Sequence, residues 1–576
     1  MTASTNSTSG VSQIDDTIPM AGSTRTEFRF DPNFDHSSIP LESEKWPVMI
    51  VGSSMVGMSF GVMLGYHGFK SASFDRHPST AIHPRAALFL LKSIEIFRQL
   101  GLDEIMTKES ASNFDLDAGM IIVEKLVGGK TLMSMQESDP NEVAKVSPVQ
   151  RLWLTQNMFE PLLRQRAKDY GAEQFFGQTI VHYEEVEDGV IVVVQDTETK
   201  KLKKYKTDFL VASDGNRSAT RAKEGIDWRG PGLLQQAISI NFKANLAPYL
   251  GTRAVHGVTY INNEKISAGF RLESGGQRGF QIVTRAGDRN GFPPDSVSEK
   301  DAKQYFYDAT GIKDDVNLVV ESVSYWSAAA YTADSFSSKG GRVYIMGDAA
   351  HVMPPTGGMG GNTGVQDAYN LAWKIAYVLK KLAPKSLLNT YSVERHVAAK
   401  FCMTQAYSRF QKRVERKKPD VDELADIVCE LGYRYPTGAL AKDGARSEEH
   451  EDPYDSLLAP GSRLPHVELV DESQGGKKIS SIDLFKTNFL LVATESASPW
   501  AAAVKSSGLP IDAYEVNGNS TPMRDLNGKS SEVWKLGAGE AFLVRPDGFI
   551  AWKAPGQRGQ DHAEILAQKL REVLSG

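Results

Sequence analysis

The stretch that decides the fold reads Arg342-Val-Tyr-Ile-Met-Gly-Asp-Ala-Ala-His351, and it continues as Val-Met-Pro-Pro-Thr-Gly-Gly-Met-Gly-Gly-Asn-Thr-Gly364. Residues 343–346 are apolar and predict a short buried strand, which Gly347 and Asp348 end with a turn. Residues 354–364 hold five glycines and two prolines, so this part is predicted to be an irregular loop. From Val365 onward apolar residues recur at helical spacing, which predicts a helix.

A strand, a glycine-rich loop and a helix in this order suit a ligand that carries phosphate, a sugar chain and an electron-accepting ring. Glycines let backbone N–H groups approach such a ligand, because no Cβ stands in the way. The helix that follows points its positive end at the loop. Asp348 at the strand end suits a ribose or polyol hydroxyl. A surface loop between a core strand and a core helix would give the same pattern, so other segments must decide.

A second segment near the start of the chain predicts a dinucleotide-binding unit. The apolar run Trp46-Pro-Val-Met-Ile-Val51 is typical of a buried parallel strand, and Gly52-Ser-Ser-Met-Val-Gly57 opens a helix after it. The next strand, Ser71-Ala-Ser-Phe-Asp75, ends in an acidic residue 23 positions after Gly52. This is the spacing of the fingerprint in which glycines hold a pyrophosphate and a carboxylate binds ribose. Ser54 replaces the middle glycine, and its small side chain still permits close approach.

A third segment repeats the arrangement of strand, turn and helix. Residues 209–213 predict a buried strand, Asp214 and Gly215 a tight turn, and Arg217, Ser218 and Arg221 the start of a helix. Plain strand-turn-helix packing would explain this segment alone, but it does not explain all three segments in this order.

Composition bounds the class of protein. The chain has 576 residues, 41% hydrophobic and 24% charged, which predicts two to four domains with a large core. A net charge of −6 argues against nucleic acid as the main partner. Two cysteines, Cys402 and Cys429, exclude a disulfide framework and a cysteine-rich metal site, so we expect no metal and a cytoplasmic location. We find no apolar run of membrane-spanning length and no signal peptide.

The three segments together resemble the signatures of class A flavoprotein monooxygenases, which share the para-hydroxybenzoate hydroxylase fold. Residues 354–374 and 387–395 resemble the phenol hydroxylase and chlorophenol hydroxylase branch. The resemblance implies an α/β multidomain protein, with a Rossmann-like FAD-binding domain, an interleaved β-sheet substrate domain and a thioredoxin-like C-terminal domain.

The domain boundaries expected from this resemblance divide the chain into six parts. They are a tail at 1–44, a FAD-binding domain at 45–225 and 326–445 with sheet insertions in 114–150, a substrate-binding sheet domain at 226–325, a linker at 446–460, and the thioredoxin-like domain at 461–576. The last part holds no cysteine, which excludes thiol redox chemistry there and favours a structural or oligomerisation role.

The resemblance also implies roles for individual residues around FAD. Pyrophosphate would be held by Gly52, Ser54 and Gly57, and the adenosine ribose by Asp75. Further FAD contacts would come from Arg85, Gln156, Gly347 and Asp348, with Asp214 and Gly215 serving both FAD and NAD(P)H. Backbone N–H groups near Gly360, Gly361 and Asn362 would face the pyrimidine edge of the flavin.

The implied activity is NAD(P)H- and O2-dependent hydroxylation of a phenolic or polyketide-like aromatic through a flavin C4a-hydroperoxide. Pro354 and Pro355 would shape the oxygen-transfer pocket with their backbone. A phenol is activated by losing its proton, so a base or relay is useful. The candidates in the substrate domain are His256, Tyr260, Arg271 and Trp326, although each is also explained as a surface or strand-packing side chain.

Two other functions remain open at this point. The same fold performs Baeyer–Villiger, epoxidation or dearomatising oxygenation, which product mass and ring connectivity would separate from hydroxylation. A non-oxygenating flavin-binding scaffold is a different class, and the intact glycine loop argues against it. A flavin halogenase is weaker, because no Trp-x-Trp-x-Ile-Pro segment occurs. The expected partner is a small aromatic molecule, and a homodimer is expected.

Overall fold

The structure is a computed structural model, in which strands and helices are numbered below in chain order. It describes residues 28–80, 88–114, 119–135, 139–251, 257–285, 291–293, 295–494, 499–518, 522–556 and 561–576. Two of the predicted site residues, Arg85 and His256, lie outside the described residues.

A five-stranded parallel sheet forms the centre of the first domain. Its strands, in spatial order, are β17 (Val343–Ile345), β11 (Phe209–Ala212), β1 (Val48–Val51), β2 (Ser71–Asp75) and β7 (Ala172–Phe176). The inner strands are apolar on both faces, because helices cover one face and the antiparallel strands at 178–207 cover the other. The main covering helices are α1 (Met55–Tyr66), α5 (Gln156–Asp169) and α9 (Met359–Leu379).

An eight-stranded mixed sheet forms the second large unit. In spatial order it contains β18 (His351–Val352), β16 (Val319–Ala333), β12 (Trp228–Lys243), β15 (Arg278–Thr284), β14 (Ser267–Glu273), β13 (Val258–Asn262), β4 (Met120–Val123) and β5 (Thr131–Met135). One face packs on α8 (Glu299–Thr310) through a core that includes Ile240, Phe270 and Phe306. Because side chains alternate along a strand, the neighbouring positions project from the opposite face.

The C-terminal unit is a thioredoxin-like sheet with helices. Its strands, in spatial order, are β22 (Ile511–Glu515), β21 (Phe489–Ala493), β24 (Ala541–Val544) and β25 (Ile550–Ala554). The first pair is parallel and the other pairs are antiparallel. Helices α12 (Pro499–Ser507) and α14 (His562–Ser575) pack together on this sheet.

Smaller elements connect these units. The strands are β8 (Gln178–Val186), β9 (Gly189–Asp196) and β10 (Leu202–Thr207) in one antiparallel sheet, β19 (Glu468–Asp471), β20 (Lys477–Ser480) and β23 (Met523–Arg524) in another, and the ribbon of β3 (Leu88–Phe89) with β6 (Leu152–Trp153). The helices are α2 (Leu91–Gln99), α3 (Asp103–Ala111), α4 (Pro140–Val143), α6 (Ala219–Lys223), α7 (Ala247–Leu250), α10 (Asn389–Arg413), α11 (Asp426–Leu431) and α13 (Lys529–Trp534). Among the described residues, no helix is both long enough and apolar enough to cross a bilayer.

The predicted irregular loop at 354–364 is wrong in its second half. The helix α9 begins at Met359, so Gly360, Gly361 and Gly364 are helical. Close packing explains a glycine inside this helix, because a Cβ on Gly364 would lie 2.7 Å from Val56 Cγ2 and 3.1 Å from Gly347 Cα. Tertiary contact with α1 therefore overrides the low helix propensity of glycine. The predicted fold class of α/β multidomain is confirmed.

Candidate active site

Three sequence-distant turns meet at one edge of the parallel sheet. The strands β17, β11, β1 and β2 are neighbours and run in the same direction, so their carboxyl ends lie side by side. Each strand ends at one of the predicted segments: β17 at Gly347-Asp348, β11 at Asp214-Gly215, β1 at residues 52–54, and β2 at Asp75. The carboxyl edge of such a sheet is where α/β proteins bind nucleotides.

The turn after β1 requires glycine on steric grounds. Gly52 has φ +93°, a left-handed conformation, and a Cβ there would lie 2.7 Å from the Ser213 backbone oxygen. A Cβ on Gly57 would lie 2.1 Å from the Gly52 oxygen. Ser54 is the N-cap residue of α1 and makes no side-chain cap bond. The first turn of α1 is therefore packed close to the turn after β11, with no space for a side chain at Gly52 or Gly57.

Asp75 receives two backbone hydrogen bonds at the end of β2. The Ser53 N–H donates to its Oδ2 and the His77 N–H donates to its Oδ1, and both donor–acceptor distances are 2.9 Å. These bonds fix the carboxylate beside the turn after β1. Each oxygen keeps a further lone pair, which could accept a ribose hydroxyl.

A buried glutamate lies against the start of α1, and sequence reasoning did not single it out. Glu160 Oε1 accepts from the Met55 N–H at 3.0 Å and from Gln156 Nε2 at 2.6 Å. Gln156 itself is the first residue of α5 and is buried. The predicted Gln156 is therefore brought to the turn, and Glu160 orients its amide.

Only one of the two carboxylate oxygens of Asp214 is hydrogen-bonded within its own turn. Its Oδ2 accepts from the Thr220 N–H at 3.1 Å and from Thr220 Oγ1 at 3.0 Å, which fastens the start of α6. Its Oδ1 is buried without a hydrogen-bond partner among the described residues. A buried acceptor of this kind is costly unless a bound donor completes it. Gly215 follows directly at the same edge.

A buried charge cluster holds the turn after β17, and its members were also missed by sequence reasoning. Asp367 in α9 accepts from the Gly347 N–H at 3.0 Å and lies 2.6 Å from His351 Nε2 and 2.8 Å from Arg395 Nε. Burial acts to raise the pKa of Asp367, but His351 and Arg395 outweigh it and keep this pKa below the usual range. Asp348, next to Gly347, is exposed.

The first turn of α9 presents backbone donors. Gly358 is its N-cap and takes a left-handed conformation, and Gly360 and Gly361 lie in the first turn, where N–H groups have no intrahelical acceptor. The Asn362 side chain is occupied differently: its Oδ1 accepts from the Leu90 N–H at 3.0 Å, and its Nδ2 donates to the Leu88 oxygen at 2.9 Å. Asn362 thus ties the β3–β6 ribbon to the helix start.

The inner face of the eight-stranded sheet carries three of the predicted substrate residues. Tyr260, Arg271 and Trp326 lie on β13, β14 and β16, at positions that alternate with the core residues Ile261, Phe270 and Tyr325. On the neighbouring strand β14, the residue opposite Tyr260 is Gly269, which has no side chain. Trp326 donates its Nε1–H to Ser239 Oγ at 2.9 Å.

Arg271 is a buried cation between two aromatic rings. Its Nη1 donates to the Gly257 oxygen at 2.7 Å, and its guanidinium carbon lies 5.0 Å from the Phe114 ring centre and 4.9 Å from that of Trp153. Burial lowers the pKa of Arg271 to about 9, against the opposing effects of Glu273 and Tyr260. Arg271 is therefore still cationic at neutral pH. Phe114 and Trp153, distant in sequence, were not anticipated.

The glycine loop directly follows a strand of the eight-stranded sheet. The loop follows β18, which pairs with β16 at Tyr331 and Val352. Met353 packs in one cluster with Trp326 and lies 3.6 Å from the ideal Cβ position of Gly360. Pro354 is buried and Pro355 is exposed. The eight-stranded sheet and the N-terminus of α9 thus adjoin one region.

Two family profiles match most of the chain. The profile described as FAD binding domain covers residues 45–406, and that described as aromatic-ring hydroxylase, C-terminal, covers 458–575. Among similar proteins, the 4-methyl-5-nitrocatechol 5-monooxygenase of Burkholderia sp is 38% identical over 93% of this chain and 99% of its own. The aklavinone 12-hydroxylase RdmE of Streptomyces purpurascens is 30% identical over 92% of this chain and 98% of its own.

Solved structures agree with these sequence relatives. A ternary complex of aklavinone-11 hydroxylase with FAD and aklavinone matches with a TM-score of 0.83 at 28% identity, over 93% of this chain and 100% of its own. The flavin-dependent monooxygenase PieE, in complex with FAD and substrate, matches with a TM-score of 0.79 at 26% identity, over 92% of this chain and 99% of its own. The chain belongs to the FAD-dependent aromatic-ring hydroxylases and is a monooxygenase that uses NAD(P)H and O2 on an aromatic substrate.

Proposed function

We propose that this monooxygenase hydroxylates a small phenolic ring, a substituted catechol, which binds as the phenolate beside Arg271. The observation that carries the proposal is the buried guanidinium between the rings of Phe114 and Trp153. The 38% identity to a nitrocatechol monooxygenase along nearly the full length of both chains supports this substrate class.

Arg271 favours the reactive form of such a substrate. A cation within a few ångströms lowers the pKa of a phenol, and the effect is stronger where water is excluded. Loss of the proton makes the ring more electron-rich and therefore a better nucleophile towards an electrophilic oxygen. The flanking rings hold the guanidinium plane and offer an apolar wall for an aromatic substrate.

Near Arg271, Tyr260 carries a hydroxyl that can transfer a proton. It lies on the strand next to Arg271, and its ring packs over Gly269, where a Cβ would lie 3.5 Å from Tyr260 Cδ1. We propose that its hydroxyl hydrogen-bonds the substrate oxygen and passes the phenol proton towards solvent, since Tyr260 is 38% exposed. Trp326, held by Ser239, packs beside the loop and helps to exclude water.

The residues at the sheet edge fit FAD. Gly52 and Gly57 have no space for a Cβ, and the buried Asp214 Oδ1 has no hydrogen-bond donor among the described residues. We propose that the start of α1 with Ser54 binds the pyrophosphate, Asp75 the adenosine ribose, and Asp214 and Asp348 hydroxyls of the sugar chain. Bound FAD, reduced by NAD(P)H, supplies the oxygen-transfer chemistry.

The start of α9 has an electrostatic role in this proposal. The free N–H groups of Gly360 and Gly361 and the positive end of the helix stabilise negative charge at the pyrimidine edge of the ring system. Pro354 and Pro355 line the approach to the substrate with their rings and backbone carbonyls. Because proline has no N–H, neither residue adds a backbone hydrogen-bond donor there.

A polycyclic aromatic is the second candidate substrate. It is favoured by the structural match to a hydroxylase complexed with aklavinone, at a TM-score of 0.83. The two substrate classes differ in size and in the need for a buried cation, so one panel of compounds separates them.

The test uses the purified, FAD-loaded full chain with 4-methyl-5-nitrocatechol, catechol, phenol and a polycyclic quinone. We expect substrate-stimulated NAD(P)H oxidation, and a product with one added oxygen on an intact ring for catechol. For 4-methyl-5-nitrocatechol, oxygen transfer to the nitro-bearing carbon would expel nitrite and give a quinone, so nitrite release is the readout. Arg271→Met should raise KM for catechols at least tenfold, while Arg271→Lys retains part of the affinity because the charge remains.

Turnover of the polycyclic compound alone would overturn the catechol assignment. A lactone or ring-opened product would instead indicate Baeyer–Villiger or dearomatising chemistry. The homodimer stays a prediction, which light scattering of the purified chain would test.

A further inference from the structure

A cluster of two histidines and a glutamate lies on the small antiparallel sheet, away from the turns that form the FAD site. His36 belongs to the segment that precedes β1, and His182 and Glu184 lie on β8. The two β8 residues are two positions apart in a strand, so their side chains project from the same face. One ligand atom from each of the three residues lies within 4.8 Å of the others.

The cluster is built into the protein rather than being a chance surface contact. His182 is 8% exposed, and its Nδ1 has no hydrogen-bond partner among the described residues. The Phe34 ring stacks on this imidazole with 5.3 Å between centres and an interplanar angle of 20°. A buried imidazole nitrogen that is oriented but unpartnered is the state of a ligand awaiting a cation.

His36 is positioned equally firmly by the backbone around it. Its carbonyl oxygen accepts from Lys204 Nζ at 2.9 Å, and the Glu42 N–H donates to the Lys204 oxygen at 2.8 Å. These bonds fasten the segment to β10. His36 Nδ1 is also buried without a partner among the described residues, while its Nε2 lies 3.3 Å from Glu184 Oε2.

The donor set and its spacing match a particular class of metal. Two imidazoles and one carboxylate are the ligands that Zn²⁺ and similar borderline cations take, and three protein ligands leave a fourth position for water. Bonds of about 2.0–2.1 Å in a tetrahedron place two ligand atoms roughly 3.3 Å apart. The observed Nε2–Oε2 distance of 3.3 Å equals that edge. A simple His36–Glu184 ion pair would leave the buried His182 nitrogen unused.

We propose that His36, His182 and Glu184 form a structural site for a divalent zinc-type cation. The cation clips the segment at 28–42 onto β8 and plays no part in oxygen transfer. The three ligands are separated by up to 148 positions in sequence, which is why sequence analysis predicted no metal.

The test uses Zn²⁺ itself with the full chain, FAD-loaded and purified without a polyhistidine tag. After equilibration with Zn²⁺ and desalting, elemental analysis should find stoichiometric zinc in the wild type. His36→Ala and Glu184→Gln should each bind zinc at least tenfold more weakly by competition with a chromophoric chelator. Glu187→Gln is the matched control, because Glu187 is an exposed carboxylate on the same hairpin and is not a member of the cluster.

Amide hydrogen exchange gives a readout that is independent of affinity and of activity. Zinc should slow exchange within 28–42 in the wild type and in Glu187→Gln, and not in His36→Ala. Flavin content should be the same in all four proteins, which shows that the variants are folded. Wild-type protein without retained zinc, or zinc bound equally by His36→Ala as an adventitious ion only, would overturn the site. Unchanged exchange at 28–42 would overturn the clip.

Discussion

Gly347 donates its backbone N–H to the buried carboxylate of Asp367, with 3.0 Å between the nitrogen and Oδ2. The same carboxylate is held by His351 at 2.6 Å and by Arg395 at 2.8 Å, and all three side chains are fully buried. The turn at the end of β17 is therefore fastened to α9. This anchor fixes Asp348 relative to the glycine loop, so that both can act on one ligand.

Removing the Asp348 carboxylate should weaken FAD binding without unfolding the protein. Asp348 is exposed at the sheet edge, and in our proposal it accepts a hydroxyl of the sugar chain of FAD. A hydrogen bond to a charged group contributes about 1.5–3 kcal/mol, so Asp348→Ala should bind FAD at least tenfold more weakly. The flavin-to-protein ratio after gel filtration and a titration of the apoprotein with FAD measure this.

Asp334→Ala is the control for that substitution. Asp334 is an exposed aspartate that pairs with Arg229 on the surface. It should keep full flavin occupancy. Full occupancy in Asp348→Ala as well would contradict the role proposed for Asp348.

The strand ends were predictable from sequence because their signal is local. Residues 48–51, 209–212 and 343–345 are continuous apolar runs that stop at a glycine or aspartate turn, and the structure places strands there. Parallel pairing of these strands brings the turns together, so the motifs needed no long-range information beyond their order. The structure places Asp75, Asp214 and Asp348 at strand ends, as predicted, while their roles in binding FAD stay predictions.

The groups that orient these turns were not predictable in the same way. Glu160, Asp367 and Arg395 lie within helices whose patterns resemble ordinary amphipathic helices. Their contacts to Met55, His351 and each other span 16 to 105 positions in sequence. The early start of α9 was missed because glycine is a poor helix former, and only contact with α1 explains it. Phe114 and Trp153 reach Arg271 through the tertiary fold alone.

Two glycines of α9 should respond oppositely to alanine. A Cβ on Gly364 would lie 2.7 Å from Val56 Cγ2 and 3.1 Å from Gly347 Cα, whereas on Gly360 the nearest atom is Met353 Cγ at 3.6 Å. Overpacking costs typically 1–3 kcal/mol, so Gly364→Ala should lower the thermal midpoint of the apoprotein. Gly360→Ala should leave it unchanged or raise it, since alanine is the better helix former by about 1 kcal/mol. Equal midpoints for both variants would contradict the packing argument.

The contact between α9, α10 and the C-terminal unit depends on a buried carboxylate. Glu394 binds Arg545 through both oxygens at 2.9 and 2.8 Å, and Lys374 Nζ at 2.8 Å. Burial acts to raise the pKa of Glu394, but Arg545 and Lys374 lower it to about 2. Glu394→Gln would leave the buried Lys374 without its counter-charge, while Arg545 would keep Asp547 alone. Breaking a buried ion pair typically costs about 3–5 kcal/mol. We expect a large fall in the thermal midpoint.

Glu532→Gln is the matched control, because Glu532 forms an exposed pair with Lys529. Exposed pairs of this kind contribute about 0–1 kcal/mol, so its midpoint should stay close to that of the wild type. Comparable losses in the two variants would show that the buried network does not carry the stability of this contact.

Two buried histidines should make the protein less stable as the pH falls below neutrality. Burial lowers the pKa of His67 to about 3, with Lys380 acting in the same direction. Burial also lowers the pKa of His466 to about 4, with Arg463 adding to it. Both values lie below the ordinary 6.5, so the unfolded chain binds more protons than the folded one below that pH. Their contribution is therefore present above pH 6.5 and is lost progressively towards pH 4 and 3.

The size of this effect follows from proton linkage. For each histidine the free energy of unfolding should be about 1.4 kcal/mol lower at pH 5.5 than at pH 7.5. His67→Gln keeps a neutral polar side chain at that position and should flatten the fall in thermal midpoint between these two pH values. His450→Gln, at an exposed histidine that stacks on Phe401, should keep the wild-type slope. Because the unfolded state alone protonates His67 in this range, an unchanged slope in His67→Gln would mean that the buried imidazole also takes up a proton in the folded state.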